Sequence, residues 1–271
     1  MSIHTEYTSY SVESTIFKGY LAWDETTNEK RPGVLVFPEW WGMNEYIQKR
    51  TKQIAELGFV AMGVDMYGEG KTVDNPDEAG SLMNTVISDK KIVKDRVQAA
   101  YNVLKGHTLS DSRRLGAIGY CFGGMAALEC VRGGLNVAGV VSFHGLLQTG
   151  EDPNPAVYGA IRPELKTHPN DYNTQAVVLV ENGADDHLVS DTSKQRFFEE
   201  MNRAGVDWNF HHHARTPHGF ALPPSLGPPG KLYEAADRRS TMNMLSLFRE
   251  IFPKVSQNPV PFNACGTPIP V

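Results

Sequence analysis

The chain has 271 residues, 41% of them hydrophobic, which is enough to close one large core and suits a single α/β domain better than two small ones. A formal net charge of -5, with no run of Lys or Arg, leaves no basic surface for a phosphate backbone, so nucleic acid is excluded as a partner. No stretch approaches the ~20 apolar residues of a membrane span, the polar N-terminus lacks an export signal, and Cys121, Cys130 and Cys265 are an odd number for a disulfide framework, so a soluble cytoplasmic protein with reduced thiols is expected.

Strand-like and helix-like segments alternate along the sequence, the pattern of a mainly parallel twisted sheet with helices on both faces. Residues 15–23 read as a strand, and a turn-rich stretch leads to an apolar run at 34–37 suited to a buried strand. Over 44–57, Ile47, Ile54, Ala55 and Leu57 share a helical face, and Gly58 follows where a C-terminal cap belongs. Residues 59–66 return as a strand. The polar segment 67–76 forms a loop ahead of two helical stretches, of which 92–104 spaces Val93, Val97, Ala100 and Leu104 by three and four.

A short strand at 115–120 then meets Cys121, and a helix over 122–131 ends at Gly133 and Gly134. Residues 137–143 and 176–180 are apolar, β-branched runs of the central-strand kind, joined by a Pro-rich polar loop at 148–173 that is expected to border a pocket. A helix over 193–204, a strand over 206–212 and an amphipathic helix over 235–252 complete a single domain, 1–252. Repeated prolines mark 253–271 as a surface tail.

Gly119-Tyr120-Cys121-Phe122-Gly123 has the Gly-x-nucleophile-x-Gly form of the nucleophile elbow, with Cys where lipases and esterases carry Ser. The alternative is a Gly-rich turn around a structural cysteine. In the α/β-hydrolase fold an acid and then a histidine follow the nucleophile, each on a loop leaving a strand. Both are present, as Asp186 in ENGADDHLV and His218 in TPHGF. Asp186 competes with Asp185 and with a role as cap of the helix beginning near Ser190, Asp191 belongs to that helix start, and His218 has the alternative of an ordinary loop histidine. His211, His212 and His213 cannot all meet one ion from a strand, where adjacent side chains face opposite sides, so they read as structural or surface residues and no metal is expected.

At these residues the chain resembles the dienelactone hydrolase family, over about residues 20–252, through the blocks VFPEWWGMNEY, AELGFVAMGVDMYGEG, IGYCFGGMAA, ENGADDHLV and TPHGFA. The resemblance implies an α/β-hydrolase fold and cleavage of a small-molecule ester or lactone by a Cys121, His218 and Asp186 triad through an acyl-thioester, without a metal or organic cofactor. It also implies that Glu39 sits beside the nucleophile as a gate that takes the thiol proton, the alternative being a loop carboxylate paired with a basic side chain. The oxyanion hole then uses the backbone N–H groups of Trp40 and Phe122.

One departure concerns specificity: Leu222 stands where family members that act on anionic dienelactones carry an arginine. Trp41, Phe143 and His144, with Trp40 and Phe122, point instead to an aromatic, less charged substrate pocket, although large aromatics also fill cores. Two rival functions share the fold: a non-catalytic binding or sensor protein, and a hydrolase of another acyl substrate such as a thioester, glycan ester or peptide. The oligomeric state is not legible in the sequence.

Overall fold

The computed structural model describes residues 1–147 and 171–252. Its strands are β1 Ile3–Val12, β2 Thr15–Asp24, β3 Arg31–Phe37, β4 Val60–Gly63, β5 Ser110–Tyr120, β6 Gly139–Phe143, β7 Val177–Gly183 and β8 Asp207–His213. They form one sheet in the order β1-β2-β4-β3-β5-β6-β7-β8. From β4 to β8 every pairing is parallel, while β2 runs antiparallel to both β4 and β1. The helices are α1 Glu45–Glu56, α2 Pro76–Ile87, α3 Lys90–Gly106, α4 Phe122–Arg132, α5 Asp191–Ala204 and α6 Glu234–Ile251.

The period of two along each strand divides the core into two layers. Leu35, Phe37, Met62, Ala117, Val140 and Val178 face a cluster closed by Val86 of α2, Val97 of α3, Leu128 of α4 and Phe197 of α5. Val34, Val36, Ala61, Ile118, Val141 and Leu179 face the opposite cluster, closed by Ile47 and Ile54 of α1 and by Met244 and Phe248 of α6. A parallel sheet covered on both faces requires such doubly apolar strands. This is the α/β-hydrolase fold.

Several elements differ from their sequence-based bounds; β5, for one, begins at Ser110 rather than 115. The first strand, β1, was not expected; its side chains are half-buried or exposed, and it owes its conformation to the β2 ladder from Ile3↔Asp24 to Val12↔Thr15. The fourth stops at Gly63 because Asp65 turns the chain, its buried carboxylate accepting from the amides of Tyr67, Gly68 and Gly70. The seventh runs on to Gly183 through Glu181 and Asn182, which are polar yet fully buried. Most of the expected 148–173 loop and the whole 253–271 tail lie outside the described residues. Among the described residues no helix is long and apolar enough to cross a membrane.

Candidate active site

Cys121 stands between β5 and α4 with φ 55° and ψ -119°, a backbone conformation that ordinary side chains avoid and that costs about 1–3 kcal/mol. The surroundings enforce it. A Cβ on Gly119 would lie 2.0 Å from Gly123 O, and one on Gly123 would lie 2.3 Å from Pro38 O and 2.4 Å from Phe37 O. The amide of Cys121 donates to Phe143 O at 3.1 Å, and its carbonyl accepts from Gly124 N at 2.9 Å and Leu146 N at 3.3 Å. The turn is thus hydrogen-bonded to the end of β6 and packed against the end of β3, and it leaves Cys121 at the N-terminus of α4.

Asp186 and His218 meet on loops leaving β7 and β8. His218 Nδ1 lies 2.8 Å from Asp186 Oδ2, and both side chains are buried. The two loops are bound together: Asp185 N donates to Thr216 O at 3.0 Å, and Gly183 packs directly against the Thr216 and Pro217 carbonyls. Asp185 itself is exposed. Asp186 is not the helix cap either, since Ser190 Oγ accepts from Ser193 N to cap α5 while Asp186 Oδ1 accepts from Leu188 N. Burial works against a charge on His218, but its electrostatic interaction with Cys121 and the Asp186 hydrogen bond outweigh it and push the imidazole up to about 10.

Glu39 is fully buried in the loop after β3. Its Oε2 accepts from Trp41 N at 2.8 Å and its Oε1 from Asn44 Nδ2 at 2.7 Å, so both oxygens are held by partners within the loop. Burial pushes this carboxyl up to about 7 against those two hydrogen bonds. The amides of Trp40 and Phe122 have no protein acceptor among the described residues. Tyr67, from the loop after β4, donates its hydroxyl to Trp40 O at 2.8 Å and stacks on the Phe122 ring.

Cys121 lines a cavity of about 400 Å3 together with Trp40, Met83, Asn84, Leu146, His187, Leu188, Pro228 and Pro229. Trp40 Nε1 donates to Pro228 O at 3.0 Å and closes one side. Trp41, Phe143 and His144, expected in the substrate pocket, do not line this cavity. Phe143 lies in the α1/α6 layer, stacked on Tyr120 at 4.9 Å, because the strand period turns its side chain to that face. Trp41 is buried against Trp40. His144 packs edge-on against His218 and Phe220, and burial together with the charge of His218 holds it well below the ordinary histidine range. Leu222 is likewise buried in the α1/α6 layer.

Sequence reasoning missed Tyr67 and most of the cavity wall. Trp40, His187 and Leu188 lie in stretches the sequence singles out; Met83, Asn84, Leu146 and the two prolines come from segments that only the fold brings together. His211 and His213 project to one side of β8 and bind the two oxygens of Glu181 at 2.8 Å and 2.6 Å, joined by Asn243 of α6. His212 stands on the other side, against Phe210.

Residues 17–252 match the model of the dienelactone hydrolase family. Among curated proteins, a putative carboxymethylenebutenolidase of Aquifex aeolicus is 36% identical over 115 residues, 41% of this chain and 48% of that protein. A probable 2-oxo-3-(5-oxofuran-2-ylidene)propanoate lactonase of Bradyrhizobium is 35% identical over 132 residues, 48% of this chain and 51% of that protein. The match therefore spans about half the length of these two relatives. Among solved structures, a dienelactone hydrolase-like promiscuous phosphotriesterase from metagenomic libraries superposes with a TM-score of 0.80 at 33% identity, covering 93% of this chain and all of that one.

Proposed function

The chain belongs to the dienelactone hydrolase family and is a carboxylic ester hydrolase, and we propose that it cleaves small esters or lactones with Cys121 as nucleophile. In this reading Cys121 sulfur bonds to the carbonyl carbon while the π pair moves to oxygen, where the amides of Trp40 and Phe122 receive it. As the tetrahedral species collapses, the C–O bond breaks and His218 protonates the departing oxygen. Water then attacks the thioester, His218 takes its proton, and the acid leaves as the S–C bond breaks and Cys121 sulfur takes back the proton it gave to Glu39. Asp186 holds the imidazole in the required tautomer throughout.

The observation that carries this reading is the pairing of His218 with Asp186 at the sheet edge where Cys121 opens into the cavity. Glu39 acts beside the thiol in this scheme as an acceptor of its proton, supported by the burial that pushes its carboxyl up to about 7. The substrate in this reading is uncharged: Trp40, Met83, Leu146, Leu188 and the prolines make most of the described cavity wall apolar, with Asn84 and His187 as its polar side chains beside Cys121, so a carboxylate would lose most of its hydration there. Cytoplasmic residence accords with the odd cysteine count.

Hydrolysis of p-nitrophenyl acetate by wild type and by Cys121→Ala tests the proposal. Turnover by wild type and its loss in a folded variant are expected; persistence in the variant overturns the assignment, and no turnover by wild type favours a binding protein. The 33% identical phosphotriesterase motivates a second reading, attack on a neutral phosphotriester in the same cavity, checked by adding paraoxon to the panel.

A further inference from the structure

The two amides of the proposed oxyanion hole sit on separate segments. Trp40 follows β3, whereas Phe122 opens α4, so the distance between them depends on contacts between the two segments, of which the approach of Gly123 to the Phe37 and Pro38 carbonyls is one. Tyr67 touches both. Its hydroxyl donates to Trp40 O at 2.8 Å, and its ring stacks on Phe122 with centroids 6.1 Å apart and planes 10° apart. The Trp40–Trp41 peptide is thereby held at both ends, its carbonyl by Tyr67 and its N–H by Glu39 Oε2.

Tyr67 is fixed in turn by groups outside the cavity. The buried Asp65 carboxylate accepts from the amides of Tyr67 at 3.0 Å, Gly68 at 2.9 Å, Gly70 at 2.7 Å and Lys18 at 3.0 Å. Arg96 of α3 donates to the Met66 carbonyl within the same turn. A carboxylate-centred turn therefore roots the phenol, and the phenol spans to the two segments that border the nucleophile.

We infer that Tyr67 is a positioning residue that sets the separation and orientation of the Trp40 and Phe122 amides, so that both meet the oxyanion at once. This rests on the reading of those amides as the oxyanion hole. Donors act there only when they lie about 2.7–3.1 Å from the oxygen's position in the transition state, so a shift of a few tenths of an ångström weakens them. Burial, with the charges of Glu39 and Cys121, pushes the Tyr67 hydroxyl upward, which keeps its proton in place for Trp40.

Tyr67→Phe tests the inference because it keeps the ring and its stack while removing the hydroxyl. Two probes separate the oxyanion from the thiol. Butyraldehyde adds Cys121 sulfur to its carbonyl carbon, its π pair passing to an oxygen that occupies the hole and then takes a proton. Iodoacetamide forms the S–C bond with loss of iodide and creates no oxyanion.

In Tyr67→Phe, kcat for p-nitrophenyl acetate is expected to fall about ten-fold with KM nearly unchanged, a part of the roughly 100- to 1000-fold cost of deleting a donor outright. Butyraldehyde inhibition should weaken by a similar factor while the iodoacetamide rate at Cys121 stays at the wild-type value. Unchanged kcat and aldehyde inhibition overturn the inference, as does an equal loss against iodoacetamide, which marks a general disturbance of the site. Failure of the underlying reading shows separately, as wild-type hydrolysis by Cys121→Ala measured alongside.

Discussion

His218 Nδ1 lies 2.8 Å from Asp186 Oδ2, whereas the adjacent Asp185 is exposed and contributes only its backbone amide to the loop. An asparagine at 186 would offer its amide to Nδ1 and favour the wrong imidazole tautomer. Asp186→Asn should therefore lower kcat on the order of 100- to 10000-fold with little change in melting temperature. Asp185→Asn should leave kcat close to wild type. Steady-state kinetics with p-nitrophenyl acetate on both variants decides, and a larger loss at 185 than at 186 would reverse the assignment.

Glu39 gives a stability prediction independent of substrate. Its carboxyl is raised from the ordinary 4.5 to about 7 by burial, so between those values the folded chain holds a proton that the unfolded chain has released. Stability consequently falls as pH rises through this window, by roughly 3 kcal/mol if the whole difference is realised at about 1.4 kcal/mol per unit. Glu39→Gln removes the titration. The stability of wild type minus that of Glu39→Gln, from urea unfolding at pH 4.5 and pH 8, should be smaller at the higher pH; parallel curves would show that Glu39 does not titrate there.

The parts legible in the sequence are those with local physical requirements. Central strands are apolar on both faces, and the elbow needs Gly119 and Gly123 because a Cβ at either strikes backbone oxygen. What stayed hidden depends on distant partners. The first strand carries no apolar face and is fixed by its ladder with β2; β7 ends on a buried Glu181 whose compensation by His211, His213 and Asn243 comes from other elements. Composition suggested an aromatic pocket, but it did not say that Phe143 faces the opposite layer from the cysteine cavity. Tyr67 was hidden in a polar loop whose shape comes from Asp65.

The two described cysteines should differ sharply in reactivity. Cys121 lines the cavity at a helix N-terminus, while Cys130 is wholly buried in α4, where burial and the Glu129 charge push its thiol up. Brief iodoacetamide treatment of the native protein, followed by peptide mapping, should modify Cys121 and leave Cys130 free until the chain is unfolded. Equal labelling of both under native conditions would contradict the burial of Cys130.

Two glycine-to-alanine changes separate the geometry of the elbow from general tolerance. At Gly123 the added Cβ meets the carbonyls of Phe37 and Pro38 at 2.4 Å and 2.3 Å, both backbone, so no side chain can yield and α4 must move away from β3. Overpacking of this kind costs about 1–3 kcal/mol, and it pushes the Phe122 amide away from the loop that carries Trp40. At Gly80, inside α2, the nearest atom to a new Cβ is Trp40 Cζ3 at 3.8 Å, an ordinary contact. Alanine there should stabilise the helix by about 0.5–1 kcal/mol through reduced backbone entropy. Urea unfolding and p-nitrophenyl acetate kinetics on both variants should show Gly80→Ala at least as stable as wild type. Gly123→Ala should be less stable and should lose turnover beyond its unfolded fraction. Full turnover by folded Gly123→Ala would mean that the close approach of α4 to the end of β3 does not set the spacing of the two amides.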